Sequence, residues 1–131
     1  MMQLRFPTIL ATTAAFVALD AVWLGAMGSR LYRPAIGHLM AADVDWIAAA
    51  LFYAVYLAGL LGFAVMPSKD IGGAALRGAL FGFVAYATYD LTSQATLRDW
   101  PWIVTGVDLG WGTFASAVAC AAGAAVSKRR L

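Results

Sequence analysis

The stretch WIVTGVDLGWGTFASAVACAAGAAV, residues 102–126, decides the fold of this chain. It is mostly apolar and contains one charged residue, Asp108. A helix needs roughly 20 mostly apolar residues to cross the hydrocarbon core of a bilayer. The stretch is therefore predicted to be a membrane-spanning helix.

Three further stretches have the same character, at about residues 6–27, 44–66 and 71–91. Hydrophobic residues make up 63% of the chain and charged residues 12%, whereas soluble domains carry about 25% charged residues. We interpret the intervening segments, 28–43, 67–70 and 93–101, as loops, because proline, glycine or polar residues interrupt the apolar pattern there. The 131 residues are thus predicted to form a single all-α transmembrane domain, a polytopic four-helix bundle spanning residues 1–131.

The distribution of lysine and arginine predicts the orientation. With four spans, both termini and the loop between the second and third spans lie on one side of the membrane. That side collects Arg5, Lys69, Arg77, Lys128, Arg129 and Arg130, against Arg30, Arg33 and Arg98 on the other. Because loops rich in Lys and Arg stay in the cytoplasm, we expect both termini to be cytoplasmic.

Small residues at four-residue spacing predict close helix packing, because helices in lipid approach most closely where side chains are small. Three spans carry such rows: Ala50, Ala54, Ala58 and Gly62 in the second, Ala74, Gly78 and Gly82 in the third, and Gly112, Ser116, Cys120 and Ala124 in the fourth.

Three aspartates lie within or at the edge of the predicted spans: Asp20, Asp90 and Asp108. An aspartate at the centre of a spanning helix costs about 2.5 to 3.5 kcal/mol, so each one is a candidate functional residue. In the predicted topology all three fall in the outer half of the membrane, where they can share one polar pocket. We treat them as candidate catalytic residues and, if a cation is bound, as candidate ligands.

Other polar and aromatic residues lie near the same end of the predicted bundle. Asp20 and Asp108 are each followed by a tryptophan at the third position, which places Trp23 and Trp111 on the faces of these aspartates. The full set of candidate substrate-binding residues is Trp23, Arg33, His38, Tyr86, Tyr89, Gln94, Arg98 and Trp111. In this interpretation the aromatic residues shape the pocket, and Arg33 or Arg98 can meet an anionic head group.

Several motifs resemble a bacterial family of predicted membrane proteins, the domain of unknown function 2177. They are Asp-Ala-Val-Trp-Leu-Gly at 20–25, Tyr-Arg-Pro-Ala-Ile-Gly-His-Leu at 32–39, Leu-Phe-Tyr-Ala-Val-Tyr at 51–56, Tyr-Ala-Thr-Tyr-Asp-Leu-Thr at 86–92 and Val-Asp-Leu-Gly-Trp-Gly-Thr at 107–113. The resemblance covers nearly the whole chain. It implies a multi-pass protein of the bacterial inner membrane with four helices, and it carries no established activity.

Composition narrows the possible functions without naming a cofactor. One histidine and one cysteine argue against haem, zinc and multi-histidine iron sites held by protein side chains, and the scattered basic residues show no footprint for nucleic acid. Three interpretations remain: an enzyme acting on a lipid or other hydrophobic substrate, a proton- or cation-coupled small transporter, and a structural or assembly subunit whose aspartates pair with arginines. Membrane lipids are the expected partners, together with a second copy of the chain or another membrane protein.

Overall fold

The computed structural model describes the backbone of residues 1–129; Arg130, counted above among the basic residues, lies outside the described residues. The four long helices are α1 (Phe6–Met27), α2 (Trp46–Gly59), α3 (Ile71–Thr96) and α4 (Trp102–Arg129). Every regular element of residues 1–129 is helical, and four helical segments are long and apolar enough to cross a membrane. The prediction of an all-α fold with four spans is confirmed.

The first predicted loop begins later than the sequence suggests. The chain stays helical beyond α1, through a π-helical turn (Gly28–Tyr32), a short α-helical turn (Arg33–Ile36) and a 3₁₀ turn (Gly37–Leu39). Gly28 adopts ordinary right-handed helical angles, and Pro34 lies in the first turn of the short helix, where its missing N–H costs little. Interpreting Gly28 and Pro34 as helix breakers was therefore wrong.

Helices α3 and α4 pack against each other most closely, along their rows of small residues. A methyl group added at Gly78 would lie 2.7 Å from both the Cys120 sulfur and the Ser116 carbonyl oxygen. One added at Gly82 would overlap the Gly112 carbonyl oxygen. The prediction of close packing is thus confirmed for these two helices.

Helix α2 packs differently, and the prediction for its row of small residues is wrong. Ala50, Ala54, Ala58 and Gly62 all lie exposed on the outside of the bundle. The π-helical continuation of α2, Leu60–Val65, packs against α3 and α4, whereas contacts between α2 itself and the other long helices are sparse. Large aromatic side chains, rather than small ones, bridge α2 to its neighbours, so a gap opens between α2 and α3.

The two ends of the bundle can be told apart by their contacts. The backbone N–H of Met2 donates to the carbonyl oxygen of Met66 over 2.9 Å, which places the amino terminus beside the loop between α2 and α3. We call this the terminal end. The loop end, opposite, carries the segments 40–45 and 97–101.

Candidate functional site

The three aspartates of the predicted spans lie on the loop-end side of the bundle and are buried. The exposed fraction is 7% for Asp20, 0% for Asp90 and 7% for Asp108. At about 1.5 Å per residue, Asp90 lies roughly 9 Å before the end of α3, and Asp108 roughly 9 Å after the start of α4. We call these three residues the aspartate cluster.

Arginine does not neutralise the aspartate cluster. Within the described part of the chain, the one ion pair joins His38 and Asp99, 3.6 Å apart on the surface, and it involves no residue of the cluster. Hydroxyl and indole groups contact Asp20 and Asp108 instead. Neutral donors satisfy a carboxylate without cancelling its charge, so the site remains acidic.

Asp20 is held by two aromatic side chains from different helices. The Tyr53 hydroxyl, on α2, donates a short hydrogen bond to Oδ2 of Asp20, and the indole N–H of Trp111, on α4, lies 3.4 Å from Oδ1. Asp20 thus joins α1 to both α2 and α4 across the interior.

Asp108 is held through a relay from the first helix and its continuation. The Tyr32 hydroxyl donates to Oδ1 of Asp108 over 2.5 Å and accepts from the Trp23 indole N–H over 2.9 Å. Trp23 and Trp111 stack with ring centres 4.4 Å apart. Each tryptophan is therefore linked to the aspartate of the other Asp-x-x-Trp motif. Trp111 hydrogen-bonds Asp20 directly, and Trp23 is linked to Asp108 through Tyr32.

Asp90 differs from the other two aspartates because its carboxyl group has no hydrogen-bond donor. Both of its side-chain oxygens are fully buried and lack a partner among the described residues. The carboxyl group of Asp108 lies close enough for the two groups to interact electrostatically. Buried polar groups are nearly always hydrogen-bonded, and the partner within reach of Asp90 is the Asp108 carboxyl group. A buried carboxyl whose partner is another carboxyl points to a functional role.

A cavity of about 510 Å³ extends from Asp108 into the gap between α2 and α3. It is lined by Phe52, Tyr56, Ala85, Tyr86, Thr88, Tyr89, Thr92 and Asp108. Phe52, Thr88 and Tyr89 are exposed on the side of the bundle, so the cavity opens sideways. Asp108 is the one carboxyl group among the described residues that line it, and these residues include no basic side chain.

An apolar groove of about 480 Å³ continues from this cavity along α2. It shares Phe52, Tyr56 and Ala85 with the cavity, and its remaining lining residues, Ala48, Leu51, Val55 and Phe81, are all apolar. The two spaces together offer an acidic inner end and an apolar outer part.

Some residues predicted for the site lie elsewhere. Arg33, His38 and Arg98 are exposed and do not line the cavity. Gln94 uses both ends of its amide at the loop end, donating to the Trp100 carbonyl oxygen over 2.6 Å and accepting from Thr105 over 2.8 Å. Trp23, Tyr86, Tyr89 and Trp111 do lie around the aspartate cluster or the cavity.

Residue patterns did not single out Tyr53, Tyr56 or Ser116. Tyr56 forms a 2.6 Å hydrogen bond with Ser116 and lines both the cavity and the groove. The sequence did contain an indication of this part of the site, because Phe52, Tyr53 and Tyr56 place three aromatic rings within about one turn of an otherwise aliphatic helix. Such a cluster at the depth of the aspartates indicates a lined interior space.

The aspartate cluster is not arranged as a three-ligand metal site. Among the described residues, no group of three or more His, Cys, Asp or Glu side chains is placed to hold an ion. Asp20 faces Tyr53 and Trp111, whereas Asp108 faces Tyr32 and Asp90.

The four apolar helices and their buried acidic interior define a multi-pass membrane protein. More specifically, the chain belongs to the DUF2177 family of predicted membrane proteins, whose model matches residues 6–125. Comparison with curated proteins gives no match, and neither does comparison with solved structures.

Proposed function

We propose that this protein is a membrane-embedded enzyme that acts on a lipid or a lipid-like amphiphile, with Asp90 and Asp108 as its acid–base pair. The observation that carries this proposal is the buried, arginine-free pair of carboxyl groups at the inner end of a cavity that opens sideways. The shape of the space and the chemistry of the pair support it separately.

The Asp90–Asp108 pair is suited to moving a proton. Two adjacent carboxyl groups away from water share a proton more readily than both carry a charge. The protonated member then acts as a general acid and the ionised member as a general base. Asp108 lines the cavity and can touch a substrate, whereas Asp90 lies behind it and exchanges the proton.

The cavity and groove suit a molecule with a polar head and an apolar chain. The head group would contact Asp108, and the chain would follow Phe52 and Tyr56 into the apolar groove. A substrate dissolved in the bilayer can enter between α2 and α3 without crossing water. Ligand sites generally combine an apolar lining with a few placed polar groups.

The position of the aspartates distinguishes this proposal from the two alternatives. A coupled transporter typically binds its substrate near the bilayer midplane, whereas Asp90 and Asp108 lie about 9 Å from one end of long helices. A purely structural subunit would neutralise its buried acids. In the part of the chain that the structure describes, Asp90 has no basic residue and no hydroxyl, amide or indole donor beside it, which argues against that interpretation.

We further propose that the protein resides in the bacterial inner membrane with both termini in the cytoplasm. The family match and the distribution of lysine and arginine support this placement. The aspartate cluster would then face the outer leaflet, and lipids of that leaflet are the expected substrates.

The test is the lipid composition of a deletion strain. Extracts are compared by mass spectrometry after complementation with the wild type, Asp90→Asn, Asp108→Asn or the control Asp43→Asn, which alters an exposed loop aspartate. We expect the wild type and Asp43→Asn to restore a lipid change that the other two variants leave uncorrected. Full restoration by Asp90→Asn and Asp108→Asn, or no lipid change on deletion, would contradict the proposal.

A further inference from the structure

We propose that the cavity selects amphiphiles with a cationic head group, such as an alkylammonium, over those with an anionic one. This inference rests on the proposed function and assigns the substrate class of the same site. It departs from the expectation that Arg33 or Arg98 meets an anionic head group.

The first argument is the sign of the charge around the cavity. Asp108 lines it, Asp90 is next to Asp108, and neither is paired with a basic residue among the described side chains. Arg33 and Arg98 are exposed and absent from the lining. An anionic head group would meet a carboxyl with no counter-charge, which is costly in a medium of low dielectric constant.

The second argument is the aromatic lining beside Asp108. Phe52, Tyr56, Tyr86 and Tyr89 all face the cavity, and the rings of Tyr56 and Tyr86 meet edge to face, with their centres 6.1 Å apart. The negative faces of aromatic rings attract cations, and quaternary ammonium groups are the ligands that such surroundings recognise best. Aromatic rings and a carboxylate together form a site for a poorly hydrated cation.

The third argument is the surroundings of the Asp90 carboxyl group. Its oxygens are buried and accept from no hydroxyl, amide or indole group of the described residues, and the neighbour with which it can share a proton is the Asp108 carboxyl group. A carboxyl pair that shares one proton carries one negative charge, and a monovalent cation beside Asp108 would neutralise that charge while the proton stays on the pair. Binding would then balance the charge that the protein leaves uncompensated.

The experiment measures equilibrium binding of chain-matched probes to the full chain in phosphatidylcholine nanodiscs. Radiolabelled decyltrimethylammonium and decyl sulfate are compared, and retention by empty nanodiscs is subtracted to remove simple partitioning. We expect saturable binding of the cation, about tenfold or more tighter than that of the anion. Asp108→Asn should abolish that preference, because it removes the carboxylate that lines the cavity, and Asp43→Asn should keep it.

Each outcome decides the assignment. Equal or tighter binding of decyl sulfate, or no saturable binding of the cation by the wild type, would overturn the cationic head group, whether or not the variants fold. The lipid composition of the complemented strains is a separate readout: if Asp90→Asn and Asp108→Asn still fail there, the enzyme proposal stands without the head-group assignment.

Discussion

At the scale of single residues, the acids of this protein divide into satisfied and unsatisfied groups. Asp45 and Asp70 lie at the starts of α2 and α3, where they accept backbone N–H groups from Ala48 and Gly73, as helix-capping residues do. Asp90 is buried and accepts nothing from the described residues. The sequence flagged Asp90 by its depth, but only the three-dimensional surroundings separate it from a structural aspartate.

This difference predicts an unusual effect of the substitution Asp90→Asn. Its amide can donate to the neighbouring Asp108 without the proton that one of two buried carboxyl groups has to take up, so we expect the protein to become more stable by about 1–3 kcal/mol. The same variant should lose activity, because an amide cannot exchange the proton that the carboxyl pair shares. The measurement is thermal unfolding in detergent, with Asp43→Asn expected to leave the midpoint unchanged. A lower midpoint for Asp90→Asn would mean that Asp90 supports the fold.

At the scale of helices, the sequence predicted correctly that each span exists, but it predicted the residues at which the helices end less accurately. α3 was expected to end near Leu91 and continues to Thr96. The extra turn is polar, yet the hydroxyl groups of Thr92 and Thr96 donate to the carbonyl oxygens of Thr88 and Thr92, one turn back. A hydropathy pattern predicts the end of a span where the side chains become polar, whereas the helix itself ends where its backbone hydrogen bonds end.

The close packing of α3 on α4 yields a prediction for Gly82→Ala. The new methyl group would overlap the Gly112 carbonyl oxygen and the Ser116 side chain, forcing apart the helices that hold Asp90 and Asp108. We expect a loss of about 1–3 kcal/mol in stability and a loss of activity.

Gly110→Ala is the matched control, because a methyl group there meets no atom within 4 Å. It should leave stability unchanged or slightly raised, since alanine favours a helix over glycine. Both variants can be compared by thermal unfolding in the same detergent. If Gly82→Ala matches Gly110→Ala, the close approach of the two helices does not contribute to stability.

At the scale of the whole molecule, the cavity arises because α2 packs less closely than the other helices, which the sequence did not predict. Rows of small residues predicted close packing for the second, third and fourth spans, but α2 carries its small residues outward and reaches its neighbours through Tyr53 and Tyr56. Its π-helical segment, Leu60–Val65, anchors it at the terminal end. In lipid both faces of such a helix are apolar, so composition alone could not tell which face turns inward.

The orientation of this bundle in the membrane determines which leaflet supplies substrates to the site. This orientation can be tested with single cysteine substitutions. Cys120 is buried, so the wild type serves as the unlabelled reference. Ala42→Cys places a thiol at the loop end and Gln3→Cys places one at the terminal end, both at exposed positions.

With the greater number of basic residues at the terminal end, we expect a membrane-impermeant maleimide to label Ala42→Cys in intact spheroplasts and Gln3→Cys only after lysis. Labelling in the reverse order would place the loop end in the cytoplasm. Asp90 and Asp108 lie about 9 Å from that end, so the substrates would then have to come from the inner leaflet. The acid–base pair and the cationic head group would be unaffected, because they depend on local contacts and not on the direction of insertion.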